Sequence, residues 1–188
     1  MLQNNKIVKL KNIYVKSFSM RYFFVTLILI FSFLSCENDK EISSIDPINW
    51  EKRRVTTSIS DSLKIGQSYL PVYSEIYSES EHLTINLTAT VSLRNINPSE
   101  SIYLNKAAYY DTKGNLIRTY FDYPIYIKPL ETLEIVIDER DTTGGAGANF
   151  VFDWAINESL HEPFFEAVMI STIEQLGISF TTQGVTIN

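Results

Sequence analysis

From Leu83 to Asn95 the chain alternates without a fault. Leu83, Ile85, Leu87, Ala89, Val91 and Leu93 fall on one side, and Thr84, Asn86, Thr88, Thr90, Ser92 and Arg94 on the other. A period of two puts successive side chains on opposite faces of an extended backbone, so this stretch predicts one half-buried β-strand. Such a strand is stable only beside others, and the rest of the chain offers them. Asn95-Ile96-Asn97-Pro98-Ser99 supplies a turn, because proline fixes φ and asparagine side chains bond their own backbone. Ile102 to Tyr110 reads as the next strand, and Asp111-Thr112-Lys113-Gly114 as a hairpin loop with glycine in the left-handed position. Asn115 to Phe121 reads as the returning strand.

Short apolar runs continue at Pro124–Ile127, Leu133–Ile137, Phe150–Ile156, Ala167–Thr172 and Ile178–Thr182. No window shows a helical period of similar quality, although Asn157 to Glu166 has room for one helical turn before Pro163. Short strands with turn signals between them predict an all-β protein: a single antiparallel β-sandwich, immunoglobulin-like, with a closed barrel as the alternative. The sole cysteine, Cys36, leaves no disulfide to staple the domain, so stability has to come from the core.

Cys36 has another meaning. It follows a 13-residue apolar stretch, Tyr22 to Leu34, which itself follows a segment with Lys6, Lys9, Lys11, Lys16 and Arg21 and no acid. The run is shorter than the ~20 residues of a membrane span and reads as the h-region of a signal peptide. Phe33-Leu34-Ser35-Cys36 resembles the lipobox of bacterial lipoproteins, with Phe33 departing mildly from its aliphatic position. The expected organisation is a signal peptide over residues 1–35, with Met20 as an alternative start, then a lipidated Cys36 with a polar tether over 36–49, then one domain over 50–188. Two or more acyl chains make such an anchor stable. The acidic start of the tether, Glu37, Asp39 and Glu41, resembles the tags of surface-exported lipoproteins in Bacteroidetes-type bacteria, and any solvated tether is also charged. The expected location is the outer membrane, facing either the periplasm or the cell surface.

Without residues 1–35 the chain keeps eleven basic residues against 22 acidic ones, a formal charge of −11. Nucleic-acid binding needs a basic stripe that displaces counterions from phosphates, and Lys52-Arg53-Arg54 is the only such run, so no nucleic-acid partner is expected. Enzyme signatures are sparse. The two histidines, His82 and His161, each sit beside a glutamate in polar, turn-like stretches and read as solvated loop residues. There is no G-x-S-x-G elbow and no H-E-x-x-H pair. No catalytic residue and no cofactor is assigned.

Asp138, Asp141 and Asn149 flank the glycine-rich stretch Thr142 to Ala148 and offer oxygen ligands for a calcium-like cation. Arg140 works against one, and a solvated strand connection is the simpler reading. Tyr69, Tyr73 and Tyr77 recur at spacing four, which on a single strand gives one face and a platform for a sugar or protein, or else a tyrosine-rimmed core. Asp61-Ser62-Leu63 and Asp141-Thr142-Thr143 resemble O-glycosylation acceptors of Bacteroidetes, at Ser62 and Thr142.

Several runs in order resemble the bacterial family called domain of unknown function 3124 (DUF3124). They are Tyr69 to Tyr77, Leu87 to Asn95, Tyr109 to Gly114, Gly144 to Phe150, and Glu166 to Thr172 with Gly177 to Phe180. The resemblance spans nearly all of Gln67 to Gly184. It implies one domain and brings no established activity. The family pattern implies a serine–histidine pair in the first run, where this chain has Ser74-Glu75, so a histidine-based role there is lost here. The function expected is a non-catalytic binding or interaction module of the cell envelope, attached through the lipid on Cys36 and engaging a protein or glycan. The alternatives are a structural or assembly factor of the envelope, and a hydrolase built on carboxylates such as Asp138, Asp141 and Asp153.

Overall fold

Side chains that are apolar at every second position need a facing surface, and this chain provides one by packing two antiparallel sheets on a shared core. The computed structural model describes residues 48–56, 62–173 and 176–188. The strands are β1 (Lys64–Val72), β2 (Glu75–Ser78), β3 (Ser80–Asn86), β4 (Thr88–Arg94), β5 (Ile102–Tyr110), β6 (Leu116–Phe121), β7 (Ile125–Ile127), β8 (Thr132–Ile137), β9 (Ala148–Ile156), β10 (Phe164–Ile173), β11 (Leu176–Gln183) and β12 (Val185–Thr186). One sheet runs β12-β1-β9-β5-β6, with β7 also paired to β5. The other runs β11-β10-β4-β8, and β2 pairs with β3 alone.

The sheets face each other through Leu70 and Val72 of β1, Leu104 of β5 and Phe150, Phe152 and Trp154 of β9 on one side. Val91 and Leu93 of β4, Ile135 of β8 and Phe165 and Met169 of β10 answer from the other, all in one cluster. Across the gap Phe152 stacks on Phe165 with ring centroids 4.2 Å apart. Gly66 makes room for the largest core side chain. It lies opposite Trp154 in the β1–β9 ladder, and the indole covers its backbone while Nε1 donates to Ser68 Oγ at 2.9 Å.

The fold is an all-β sandwich, as expected, and two open sheets replace the closed barrel of the alternative. Its inner strands follow the immunoglobulin pattern, in which B pairs with E in one sheet and C with F in the other. Here β4 pairs with β8 and β5 with β9. The flanking places are exchanged: the first strand, β1, lies beside β9, and β10 lies beside β4.

Two local expectations need correction. The alternation from Leu83 to Asn95 is real, but it is not one strand. Pairing stops at Leu87, whose N–H donates to Ser74 O at 2.9 Å, and the chain passes from the β2–β3 ladder into the second sheet. Leu83 is accordingly 50% exposed while Leu87, Val91 and Leu93 are fully buried. Hydrophobic alternation reports which face is apolar and is blind to a change of partner strand. The helical turn allowed for Asn157–Glu166 is a β-turn instead, closed by Leu160 N–H donating to Asn157 O at 2.9 Å, with β10 following from Phe164. Proline at 163 lacks the N–H a helix would need.

Candidate functional site

Three strand ends meet at one end of the first sheet. The register places Val72 of β1 opposite Ala148 of β9, and Asn149 of β9 opposite Tyr110 of β5. Across these ends lies the glycine-rich connection from β8 to β9, which coils as two 3-10 turns over Thr142–Gly147 with Asp141 as N-cap. At Gly145 φ is +73° and ψ −163°, a conformation open essentially to glycine alone.

Side chains from the neighbouring ends pin this loop. Thr112, in the β5–β6 turn, donates to Gly144 O through both its N–H (3.1 Å) and its hydroxyl (2.9 Å), while the same hydroxyl accepts from Gly147 N–H at 3.0 Å. Ser74, which is fully buried, donates to Gly145 O through its N–H and its hydroxyl, both at 3.2 Å. Below the loop is Tyr109. Its ring stacks on Phe150 at 4.8 Å, and Phe150 stacks on Phe152, so an aromatic column runs from the loop into the core. The Tyr109 hydroxyl is buried, close to the Ser74 hydroxyl but outside hydrogen-bond geometry with it. Its pKa is pushed up to about 12, chiefly by burial; the Ser74 hydroxyl offsets part of this, and Asp141 and Tyr120 add to it.

Asp141 is 5% exposed and held from two sides. Arg118 Nη2 donates to its Oδ2 at 3.2 Å, and Thr143 donates to Oδ1 through its hydroxyl and its N–H. Arg118 also donates to Tyr120 Oη at 3.1 Å. Burial works against the guanidinium charge, and the bonds to Tyr120 and Asp141 outweigh it, so its pKa lies above the ordinary value. Outside the loop, an open polar depression of about 250 Å³ lies between Asp111–Lys113 and Thr142–Gly145. Asp111 is tied into its own turn by the Lys113 and Asn115 N–H groups at 2.8 Å. The amide of Asn115, first among its partners, keeps its carboxyl below the usual range.

The residues that the sequence suggests for a cation do not assemble. Asp138 is gripped by Arg140 through Nε and Nη2 at 3.0 and 3.1 Å, Asp141 is committed to Arg118 and Thr143, and Asn149 lies within the β9 ladder. Among the described residues no group of three or more His, Cys, Asp or Glu side chains could hold a metal ion. The carboxylates named for a hydrolase also stay apart. Asp153 accepts from Gln67 Nε2 at 2.7 Å on the outer face of the first sheet, five residues along β9 from Ala148, or roughly 16 Å.

The tyrosines do not share a strand either. Tyr69 is on β1, flanked in register by Val151 and Val185; Tyr73 follows β1 and packs edge-on against Phe180 at 5.7 Å; Tyr77 is 64% exposed on β2. Their spacing crosses the end of β1, which breaks the period. His161 is an exposed loop residue, whereas His82 is an exposed residue of β3 rather than of a loop. Ser62 and Thr142 are exposed, and Asp61 and Cys36 lie outside the described residues.

The family model described as "Protein of unknown function (DUF3124)" matches residues 65–187. The chain belongs to the DUF3124 family. No curated protein and no solved structure matches it. The family region contains the whole loop cluster. Sequence reasoning missed Ser74, Tyr109, Thr112, Arg118 and Gly144 as one site. The available signal was that Ser74, Tyr109–Thr112 and Gly144–Ala148 fall in three of the runs that resemble the family; nothing in their spacing foretells that they meet.

Proposed function

We propose that this DUF3124 member is a lipoprotein of the outer membrane, anchored through Cys36, whose sandwich is a non-catalytic binding module for a protein or glycan of the cell envelope. The observation that supports it is the pinned glycine-rich loop. Its backbone is fixed by Thr112 and Ser74 before any ligand arrives, and it borders an open depression lined by hydroxyl, amide, ammonium and carboxylate groups. A preformed polar surface of this kind loses little freedom on binding. The buried carboxylate of the cluster, Asp141, is spent on Arg118, so the cluster offers anchoring rather than proton transfer.

The test has two parts. Cys36→Ala is followed through membrane and soluble fractions, with external protease on intact cells; an unchanged membrane fraction in the variant refutes the anchor. A photo-crosslinking residue at Thr142 is compared with one at Asp122, on the exposed turn after β6. A defined envelope protein or glycan captured only at Thr142 is expected, and equal capture at both refutes the loop as the binding surface.

One observation favours the reading as a structural or assembly factor. The β12–β1 edge exposes Ile65 (74%), Val185 (56%) and Ile187 (47%) on the outer face. A stable constitutive complex seated on that edge, surviving substitution of the loop, would favour it over a ligand-binding role.

A further inference from the structure

Among the described residues, every arginine is ion-paired, and only Lys52, Lys113 and Lys128 among the lysines are not. Two of these three share a pocket. It has a volume of about 350 Å³ and is bounded by Ile48, Asn49, Lys52, Arg53, Tyr126 and Lys128. Arg53 is held there by Glu131 at 2.8 and 3.1 Å and faces the ring of Tyr126. Arg54 is paired with Glu51 at 3.2 Å and lies 4.7 Å from the centroid of Tyr123. Four cations, Lys52, Arg53, Arg54 and Lys128, thus face two carboxylates, Glu51 and Glu131, and Glu131 also acts on Lys128, so this end keeps an excess of positive charge.

The position of this pocket matters. β7, which ends beside Lys128, pairs with the first residues of β5, Ile102 to Leu104, whereas the glycine-rich loop covers the last, Tyr110. The cationic pocket and the loop depression are therefore separated by the length of β5, about 27 Å. The pocket also includes Ile48, twelve residues after Cys36. A chain of that length reaches at most about 40 Å. On a body of charge −11, one cationic end turns toward an anionic surface while the rest is repelled.

Resting on the anchor reading above, we propose that the Lys52–Lys128 pocket takes the phosphodiester headgroups of the membrane surface and so holds the anchored domain with its glycine-rich loop pointing away from the bilayer. The lipid supplies attachment and the pocket supplies orientation. Each positive charge in excess near an anionic surface is worth roughly a five-fold change in partition, so two give about 30-fold in the ratio of docked to undocked orientations.

The test is hydrogen exchange on the purified lipidated protein in vesicles of phosphatidylcholine alone and of phosphatidylcholine with phosphatidylglycerol. The expected result is protection of residues 50–54 and 125–128 in the anionic vesicles only, abolished by high salt and by Lys52→Glu with Lys128→Glu. Lys113→Glu, at the opposite end, leaves it unchanged. Protection that ignores vesicle charge, that appears at residues 142–147 instead, or that survives the double reversal overturns the proposal. So does the same protection from inorganic phosphate without vesicles and no further effect of anionic lipid, which would make the pocket a free-phosphate site. Intact mass of the same preparation separates the two readings: a mass without lipid overturns both, and a lipidated protein that fails to orient overturns this one alone.

Discussion

A methyl group added at Gly144 would stand 2.0 Å from the Tyr109 hydroxyl, 2.7 Å from Ala148 Cβ and 2.8 Å from Ser74 Oγ. None of the three can step aside cheaply. Tyr109 is stacked on Phe150, Ser74 is bonded to Gly145 O, and Ala148 is in the β9 ladder. Overpacking of this kind costs about 1–3 kcal/mol, and lifting the loop would also break the bonds from Thr112, so Gly144→Ala is expected to lose about 3 kcal/mol. Tyr109→Phe should behave oppositely. The hydroxyl it removes is buried without a hydrogen bond, and an unsatisfied buried group costs about 1–3 kcal/mol, so the variant should be neutral or about 1 kcal/mol more stable. Because the closest clash disappears with that oxygen, the double variant Tyr109→Phe/Gly144→Ala should fall short of additivity by at least about 1 kcal/mol. Urea unfolding followed by tryptophan fluorescence measures all three. A Tyr109→Phe variant destabilised by more than about 1 kcal/mol would show that the hydroxyl is satisfied in the folded protein, and strict additivity would show that the added methyl finds room elsewhere. Either result sinks the picture of a loop seated directly on Tyr109.

Further expectations concern other parts of the domain. Because burial raises the folded pKa of Tyr109 to about 12, its ionisation leaves stability untouched below the unfolded value of about 10, and between the two the unfolded chain gives up the proton first, so stability falls by about 1.4 kcal/mol per pH unit; Tyr109→Phe should flatten that alkaline loss, and an unchanged alkaline limb would contradict the assignment. Gly66→Ala would drive a methyl to 2.2 Å from the Trp154 ring and should cost about 3–5 kcal/mol, comparable to losing the indole from the core, with the near-ultraviolet dichroism of tryptophan changed. Asn95 donates to Glu100 O, Ile127 O and Lys128 O and accepts from Asn97, so Asn95→Ala should destabilise by about 2–4 kcal/mol in thermal unfolding, far above the cost of an exposed turn residue.

The hairpin from Ile102 to Phe121 is legible in the sequence because two signals coincide there: alternation on both arms, and Asp111 with Gly114 at the bend, where φ is +80°. The Asn95–Pro98 stretch shows how far such reading extends. The expected local bond exists, from Asn97 N–H to Asn95 Oδ1 at 2.9 Å, but both asparagines are buried and also tie the turn to β7 and, through His161, to the start of β10. Those partners lie 32 and 64 residues away, and nothing in a local window marks them. The same limit explains the tyrosines and the acidic loop. A spacing of four means one face only while the strand lasts, and a cluster of carboxylates means a cation site only if the arginines nearby are not already its counterions; here Arg118 and Arg140 are.

That difference bears on what the glycine-rich loop is for. Were it a solvated connection, as its composition suggests, Gly144 would not be buried and Thr112 and Ser74 would have no reason to spend five hydrogen bonds on three of its residues. Ordering six residues against the chain entropy of a flexible link is costly, of the order of 1 kcal/mol per residue for the backbone alone. Stability alone does not require a glycine-rich loop packed over a buried tyrosine hydroxyl outside hydrogen-bond geometry; a shorter β8–β9 connection would join the same two strands. What the arrangement does provide is a backbone surface held at fixed geometry over three strand ends. Its stiffness comes from Thr112 and Ser74, so the sharpest separation of binding from folding is Thr112→Val, which keeps the side-chain shape and removes the hydroxyl that both donates and accepts. It should cost about 1–2 kcal/mol in stability and weaken capture at Thr142, while the membrane fraction proposed to depend on Cys36 should stay as it was.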